Sequence, residues 1–305
     1  MIQPLLLAAL LHWEQLPALP DPVGVAGPFA GVSGGALIVA GGANFPNGFP
    51  GTKVWHDDVF VFTGQWQRAG KLPRPLAYGV SITTDRGVVC IGGNNATKCY
   101  ADVFLLKWSH GKLETVTLPA LPRPVANACG AIIRDTIYVA GGEEPTGTTL
   151  KTFFAYTNGQ WHELPAWPGC GRMLAQTAAV DGRFYLVGGV DLIGGKRRYL
   201  RDAYRYDPQA GWRRIPDLPH PVVAAPASGG ERLLIFGGDD GSKIGMQPHP
   251  GFSTEILTYD DGWKTAGTLP AARVTTPAVR WNSRWVIPSG EMRPGVRAPE
   301  VWATR

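Results

Sequence analysis

Residues 36–42 read ALIVAGG, an apolar run closed by a pair of glycines. The same figure returns as GVVCIGG ending at Gly93, TIYVAGG at Gly142, FYLVGG at Gly189 and LLIFGG at Gly238. A sixth version, WVIPSG, ends at Gly290 and carries Ser289 where the others have their first glycine. The intervals between these ends are 51, 49, 47, 49 and 52 residues. A second marker keeps step with the first. Trp13, Trp66, Trp161, Trp212 and Trp263 each stand seven residues before a proline that follows Leu or, at Trp167-Pro168, Trp; Thr115 fills the sixth place. Two markers in phase through six periods define an internal repeat of about fifty residues.

Within each period the text predicts four short strands. After the Leu-Pro pair comes an apolar stretch such as Ala77 to Ile82 or Gln176 to Val180, then a turn, then the strand ending in Gly-Gly. A variable loop leads to an alternating strand such as Asp58 to Phe62, Asp202 to Tyr206 or Glu255 to Tyr259, and a further turn leads to the Trp-bearing strand. Four strands in about fifty residues make one propeller blade of the kelch type. The glycines allow positive φ and close approach between neighbouring blades. The expected fold is therefore all-β, a six-bladed kelch-type β-propeller filling residues 13–305 as a single domain, with residues 1–12 as an N-terminal extension. The last blade ends after Pro299 to Ala303 without an outer strand, whereas Trp13 to Leu16 has the outer-strand pattern and no blade before it. Closure of the ring by that N-terminal strand would hide both free sheet edges.

Composition agrees with this reading and narrows the function. The 305 residues include 40 Gly, 27 Pro and 11 Trp, with 44% hydrophobic and 17% charged residues. That is too apolar for disorder and too rich in helix breakers for a helical protein. Lys and Arg exceed Asp and Glu by 29 to 24, and the longest basic run is Lys196-Arg197-Arg198. Such a scattered surplus gives no nucleic-acid footprint. Cys90, Cys99, Cys129 and Cys170 have neither metal-ligand nor disulfide-framework spacing, so no metal or cofactor is expected. The apolar run Leu5 to Leu11 is too short to span a membrane and makes a poor export signal. No membrane partner is expected. The chain as it stands reads as cytoplasmic, or periplasmic if its N-terminus is truncated; oligomeric state is left open.

Propeller topology places residues after Gly-Gly and residues at first-strand starts on one face, around the channel. The former are Ala43-Asn44, Asn94-Asn95, Glu143-Glu144, Val190-Asp191, Asp239-Asp240 and Glu291; the latter, in loose register, are Phe29, Tyr78, Asn127, Arg172, His220 and Arg273. Carboxylates, arginines, amides and aromatics converging on one face suggest a ligand pocket. One loop stands out, Gly290-Glu291-Met292-Arg293-Pro294-Gly295-Val296-Arg297. Pro294-Gly295 suits a type II turn, which would fold Arg297 back towards Glu291 and set an acid/base beside an anion anchor. A surface ion pair is the competing reading of the same residues.

This loop, together with Gly24-Val25-Ala26-Gly27-Pro28-Phe29 and Ala40-Gly41-Gly42-Ala43-Asn44-Phe45-Pro46, resembles the N-acetylneuraminate epimerase (sialic acid mutarotase) family, in a branch with cyclically permuted blade order. The resemblance covers residues 13–305. It implies an isomerase that interconverts the α- and β-anomers of an anionic sugar, sialic acid, by acid/base ring opening. It further implies Glu291 as the proton-transfer carboxylate and Arg297 as a substrate-contacting arginine. Arg172 and Arg273 would help to hold the substrate carboxylate, and Asn44, Tyr78 and Asn127 would complete the binding surface. Leu76 stands where unpermuted relatives have arginine. The alternative is a kelch propeller that binds a protein or carbohydrate without catalysis, with Trp55 or Phe45 as anchors. Sialidases carry Ser-x-Asp-x-Gly-x-Thr-Trp repeats that are missing here, and the six scattered histidines do not suit a copper radical oxidase.

Overall fold

The computed structural model describes residues 11–305, so most of the extension expected over residues 1–12 lies outside the described residues. Six four-stranded antiparallel sheets are arranged in chain order. The first blade is Phe29–Ser33, Ala36–Ala40, Asp58–Phe62 and Trp66–Lys71, and the pattern repeats to the sixth. The sixth consists of Val279–Trp281, Arg284–Pro288 and Val301–Thr304 with Trp13–Leu16 as its outer strand, in register Trp13↔Thr304 to Leu16↔Val301. The ring is closed by joining the start of the described chain to its end, which leaves no inner strand with a free edge.

Apolar contacts between blades hold the ring together, and the second strands lie deepest in them. Ala36–Ala40 and Gly87–Ile91 are buried at every position. Such near-continuous apolar strands lie between two packed neighbours and have no wet face. The marker tryptophans tie blade to blade through a hydrogen bond as well. The indole N–H groups of Trp66, Trp161, Trp212 and Trp263 donate to the carbonyls of Pro17, Pro119, Pro165 and Pro216 in the preceding blade, at 2.7–2.8 Å. Where the acceptor position holds glycine instead, at Gly70 and Gly267, the strand carries a register shift. The next blade then has Thr115 for its tryptophan, or Trp13 with a buried, unpartnered Nε1.

Six residues close the channel at one end. Gly27, Tyr78, Asn127, Leu174, Ala224 and Thr275 all have φ between 53° and 65°. The amide of each donates to the carbonyl of its counterpart in the preceding blade, Tyr78 to Gly27, Asn127 to Tyr78 and so on round to Gly27 on Thr275, at 2.6–2.9 Å. The result is an uninterrupted collar of six hydrogen bonds. Each residue makes a left-handed step that five of the six side chains would ordinarily avoid. The strain is held because the collar gives each of these backbone amides a partner.

Candidate functional site

Below the collar the channel forms a cavity of about 380 Å³, lined by small first-strand residues including Ala30, Ser81, Gly130, Ala178 and Ala278. Neither Glu291 nor Arg297 lines it. The titratable groups gather instead at the loop end of the collar. Six isolated bridges fix the register there: Ala43, Asn94, Glu143, Val190, Asp239 and Glu291 are equivalent positions, each bridged to the residue just before its blade's collar residue. Carboxylates therefore stand over the third, fifth and sixth blades.

Glu291 and Arg297 face each other across a short hairpin, Glu291–Arg293 and Val296–Arg297, turned by Pro294 and by Gly295 at φ 78°. Glu291 Oε1 accepts the Gly295 amide at 2.6 Å and lies 3.0 Å from Arg297 Nη1. That ion contact is misaligned as a hydrogen bond, so Nη1 is a buried donor without a hydrogen-bond partner. Arg297, 7% exposed, packs its guanidinium 4.8 Å above the Phe45 ring and turns Nε towards the Ala43 carbonyl. A buried cation with an unpaired N–H beside a carboxylate is a group arranged for an anionic, oxygen-rich ligand.

Ser289 anchors this hairpin. It adopts φ 57° in place of a glycine, and its fully buried hydroxyl accepts the Val25 amide and has its single proton between the carbonyls of Ala298, at 2.8 Å, and Val25, at 3.0 Å. At the equivalent Gly41, Gly92 and Gly141 an added Cβ would come within 2.3–2.5 Å of a backbone carbonyl oxygen. Only the seam between the sixth and first blades has room for a side chain, and there the hydroxyl uses it.

Tyr78 and Asn127 rise from the collar into the same region. Burial of the Tyr78 ring, with Glu291 nearby, pushes its phenol up to about 12, against the favourable field of Arg297. Asn127 Nδ2 donates to Glu143 Oε1 at 2.5 Å. Burial raises the Glu143 carboxyl above its ordinary value, although Asn127, Arg197 and Lys53 oppose the rise. Lys53, in the loop after the first Gly-Gly pair, places Nζ 4.2 Å from the Tyr78 ring centroid and 4.8 Å from that of Trp55. Burial and the neighbouring Arg297 bring its ammonium down to about 8, despite Glu291 and Glu143.

The expected trio of arginines does not converge. Arg172 is 0% exposed, lies 5.4 Å from the rings of both Trp167 and Tyr204, and donates to Gly188 O at 2.9 Å and Asp202 Oδ2 at 2.6 Å. Arg273 is 1% exposed and donates to Glu300 Oε2 at 2.8 Å. Both stand two residues before the collar residue of their blade, where other blades have buried Val25, Leu76, Val125 and Val222. Both are built into the ring wall by these ion pairs, and each keeps a buried Nε without a hydrogen-bond partner. Asn44, also buried, bonds Asp21, Gly24 and His56. Phe29 and His220 likewise sit off the collar register, His220 being paired with Glu255 at 2.8 Å. Lys53 and Arg197 escape sequence reading as site residues, because the loops that carry them have no repeat to set a register.

Fold and site together define a six-bladed kelch-type propeller with an acid–guanidinium hairpin over its axis. A sequence profile of the N-acetylneuraminate epimerase family matches residues 3–115, and a kelch motif matches residues 171–219. The N-acetylneuraminate epimerase of Haemophilus influenzae (strain 86-028NP) is 30% identical over 222 residues, covering 61% of this chain and 58% of that protein. The N-acetylneuraminate epimerase of Brucella suis is 42% identical over 125 residues, 34% of this chain and 32% of its own. The solved structure of YjhT superposes with a TM-score of 0.73 over 94% of this chain and 95% of that one, at 16% identity, a likeness of fold. The chain is related to the N-acetylneuraminate epimerase family, and its alignments span about a third to three-fifths of those two relatives.

Proposed function

We propose that the protein is an isomerase of the sialic acid mutarotase type, which interconverts the anomers of N-acetylneuraminate by opening and reclosing the pyranose ring. The observation that carries this is the Glu291–Arg297 hairpin, with a carboxylate 3.0 Å from a buried guanidinium whose Nη1 has no hydrogen-bond partner. Arg297 holds the substrate carboxylate, and Glu291 takes the proton of the anomeric hydroxyl as the ring opens. Tyr78 and Asn127 form the surface on which the sugar rests. A general base of this kind contributes about 10²–10⁴-fold. A rotated blade order is consistent with the length of the matches, since a linear alignment must break where the order does.

Proton NMR of freshly released α-N-acetylneuraminate tests the reading. The protein should speed relaxation to the β-anomer, and Glu291→Gln should lower that acceleration by about 10²-fold or more while binding survives. A Glu291→Gln variant as fast as the parent would pass the role to Glu143 or Asp239, the carboxylates at equivalent positions. A second reading, a propeller that binds without catalysis, draws on the exposed apolar side chains of Phe49, Ile193, Ile244 and Met246, all on loops of this face. It predicts sugar or protein binding with no acceleration.

A further inference from the structure

We infer that Lys53 is a second catalytic residue, the acid that protonates the ring oxygen while Glu291 takes the anomeric proton; the inference rests on the mutarotase reading above. Its ammonium is held over the Tyr78 and Trp55 rings, 4.2 and 4.8 Å from their centroids, and makes neither a hydrogen bond nor an ion pair among the described residues. Aromatic faces hold a cation without using its N–H donors, so all three remain for a ligand. The indole of Trp55 is fixed in turn by its N–H bond to Asn94 Oδ1 at 3.2 Å. Glu291 has only Oε2 to offer the anomeric hydroxyl, since Oε1 accepts the Gly295 amide and touches Arg297, so the ring oxygen calls for a separate acid.

The charged and titratable groups facing Lys53 are Arg297 and Glu291 from the hairpin of the sixth blade, Glu143 from the third blade and the phenol of Tyr78. Burial and Arg297 bring the ammonium down to about 8, which places its proton affinity in the range useful to a general acid near neutrality. In the forward step the bond from the anomeric carbon to the ring oxygen breaks and its electron pair stays on that oxygen, which takes a proton from Nζ. The anomeric hydroxyl gives its proton to Glu291 and its O–H pair becomes the new C=O bond. The products are an open-chain keto acid, a neutral lysine and a protonated Glu291. Closure on the opposite carbonyl face runs both transfers backwards and restores both groups, with no net proton change.

The experiment measures enzyme-dependent relaxation of α-N-acetylneuraminate from pH 6 to 10 for wild type, Lys53→Met and Lys53→Arg, with melting curves to confirm folding. Wild type should lose kcat/KM, which reports the free protein, above about pH 8. Lys53→Met should have kcat lower by about 10–100-fold at pH 7 and no such alkaline fall. Lys53→Arg keeps the charge but holds its proton too tightly, so KM should stay near wild type while kcat remains low. Full activity in Lys53→Arg, or a rise in KM alone with the alkaline fall intact, would make Lys53 an anion anchor and overturn the acid role. So would Lys53→Met behaving as wild type. A wild-type protein that leaves α-sialate at its solvent rate overturns the functional reading itself, and the acid role with it.

Discussion

Ser289 shows how one residue can be both a departure from the repeat and the support of a site. Glycine at this place in the other blades allows positive φ next to a neighbouring carbonyl; serine keeps the φ and fills the gap with a hydrogen-bonded hydroxyl. Ser289→Gly removes those bonds while relaxing the backbone. It should therefore lower the proposed mutarotase activity more than it lowers the melting temperature, because the hairpin carrying Glu291 loses its tether. The reverse exchange, Gly41→Ser, puts a Cβ 2.4 Å from the Leu76 carbonyl oxygen and should cost about 2 kcal/mol or more in chemical denaturation. Arg172 is a comparable case. Burial opposes ionisation of Asp202, but Arg172 and Tyr204 outweigh it and hold the carboxyl below its usual range; Arg172→Ala takes away its ion-pair partner and leaves only the Tyr204 hydroxyl. Urea titration should show a loss of about 3–5 kcal/mol, with substrate affinity in the surviving folded fraction little changed.

Among elements, the strand Ser253–Tyr259 carries a local pH sensor of stability. Burial of the His220 ring opposes its protonation, yet the hydrogen bond it donates to Glu255, with Pro221 O and Asp240, leaves the imidazole above its ordinary value of 6.5. Burial likewise opposes ionisation of Glu255, but Thr265 and His220 outweigh it and leave the carboxyl below its ordinary 4.5. A raised histidine stabilises the fold fully below 6.5 and loses that contribution as pH rises through the folded value. The lowered carboxylate contributes above 4.5 and loses its share as pH falls through its folded value. The advantage of wild type over His220→Gln in thermal denaturation should thus be present near pH 6 and shrink above neutrality. The same elements explain what the sequence disclosed. The Gly-Gly and Trp markers recur because each meets the same neighbour in each blade, so strands, closure and the Glu291 loop could be read from them. First-strand starts could not be put in register, since the left-handed collar residue interrupts the alternation that sequence reading follows. Arg172 and Arg273 looked like ligand groups because their carboxylates, Asp202 and Glu300, lie 30 and 27 residues further on. The hint was their shared place, directly before the third strand of the blade.

For the whole molecule the seam between Trp13–Leu16 and Val301–Thr304 is the point of weakness. Deleting residues 1–17 exposes an edge of the sixth blade and removes the Pro17 carbonyl that Trp66 uses. The truncated chain should aggregate or unfold without a single cooperative transition, whereas a melting curve like that of the full chain would contradict closure as the source of stability. The collar adds a further consequence. Six peptide groups donate in one rotational sense, so any arc of five or fewer leaves a bare donor at one end and a bare acceptor at the other; only the complete circle has no loose ends. Ring closure is checked in this way by backbone chemistry alone, whatever the side chains. Head-to-tail dipoles around a circle also cancel in the plane of that circle. The backbone at the axis thus presents almost no lateral field to an arriving ligand, and the direction from which a charged group is drawn in is left to Lys53, Arg197 and Arg297 set against Glu143, Asp239 and Glu291.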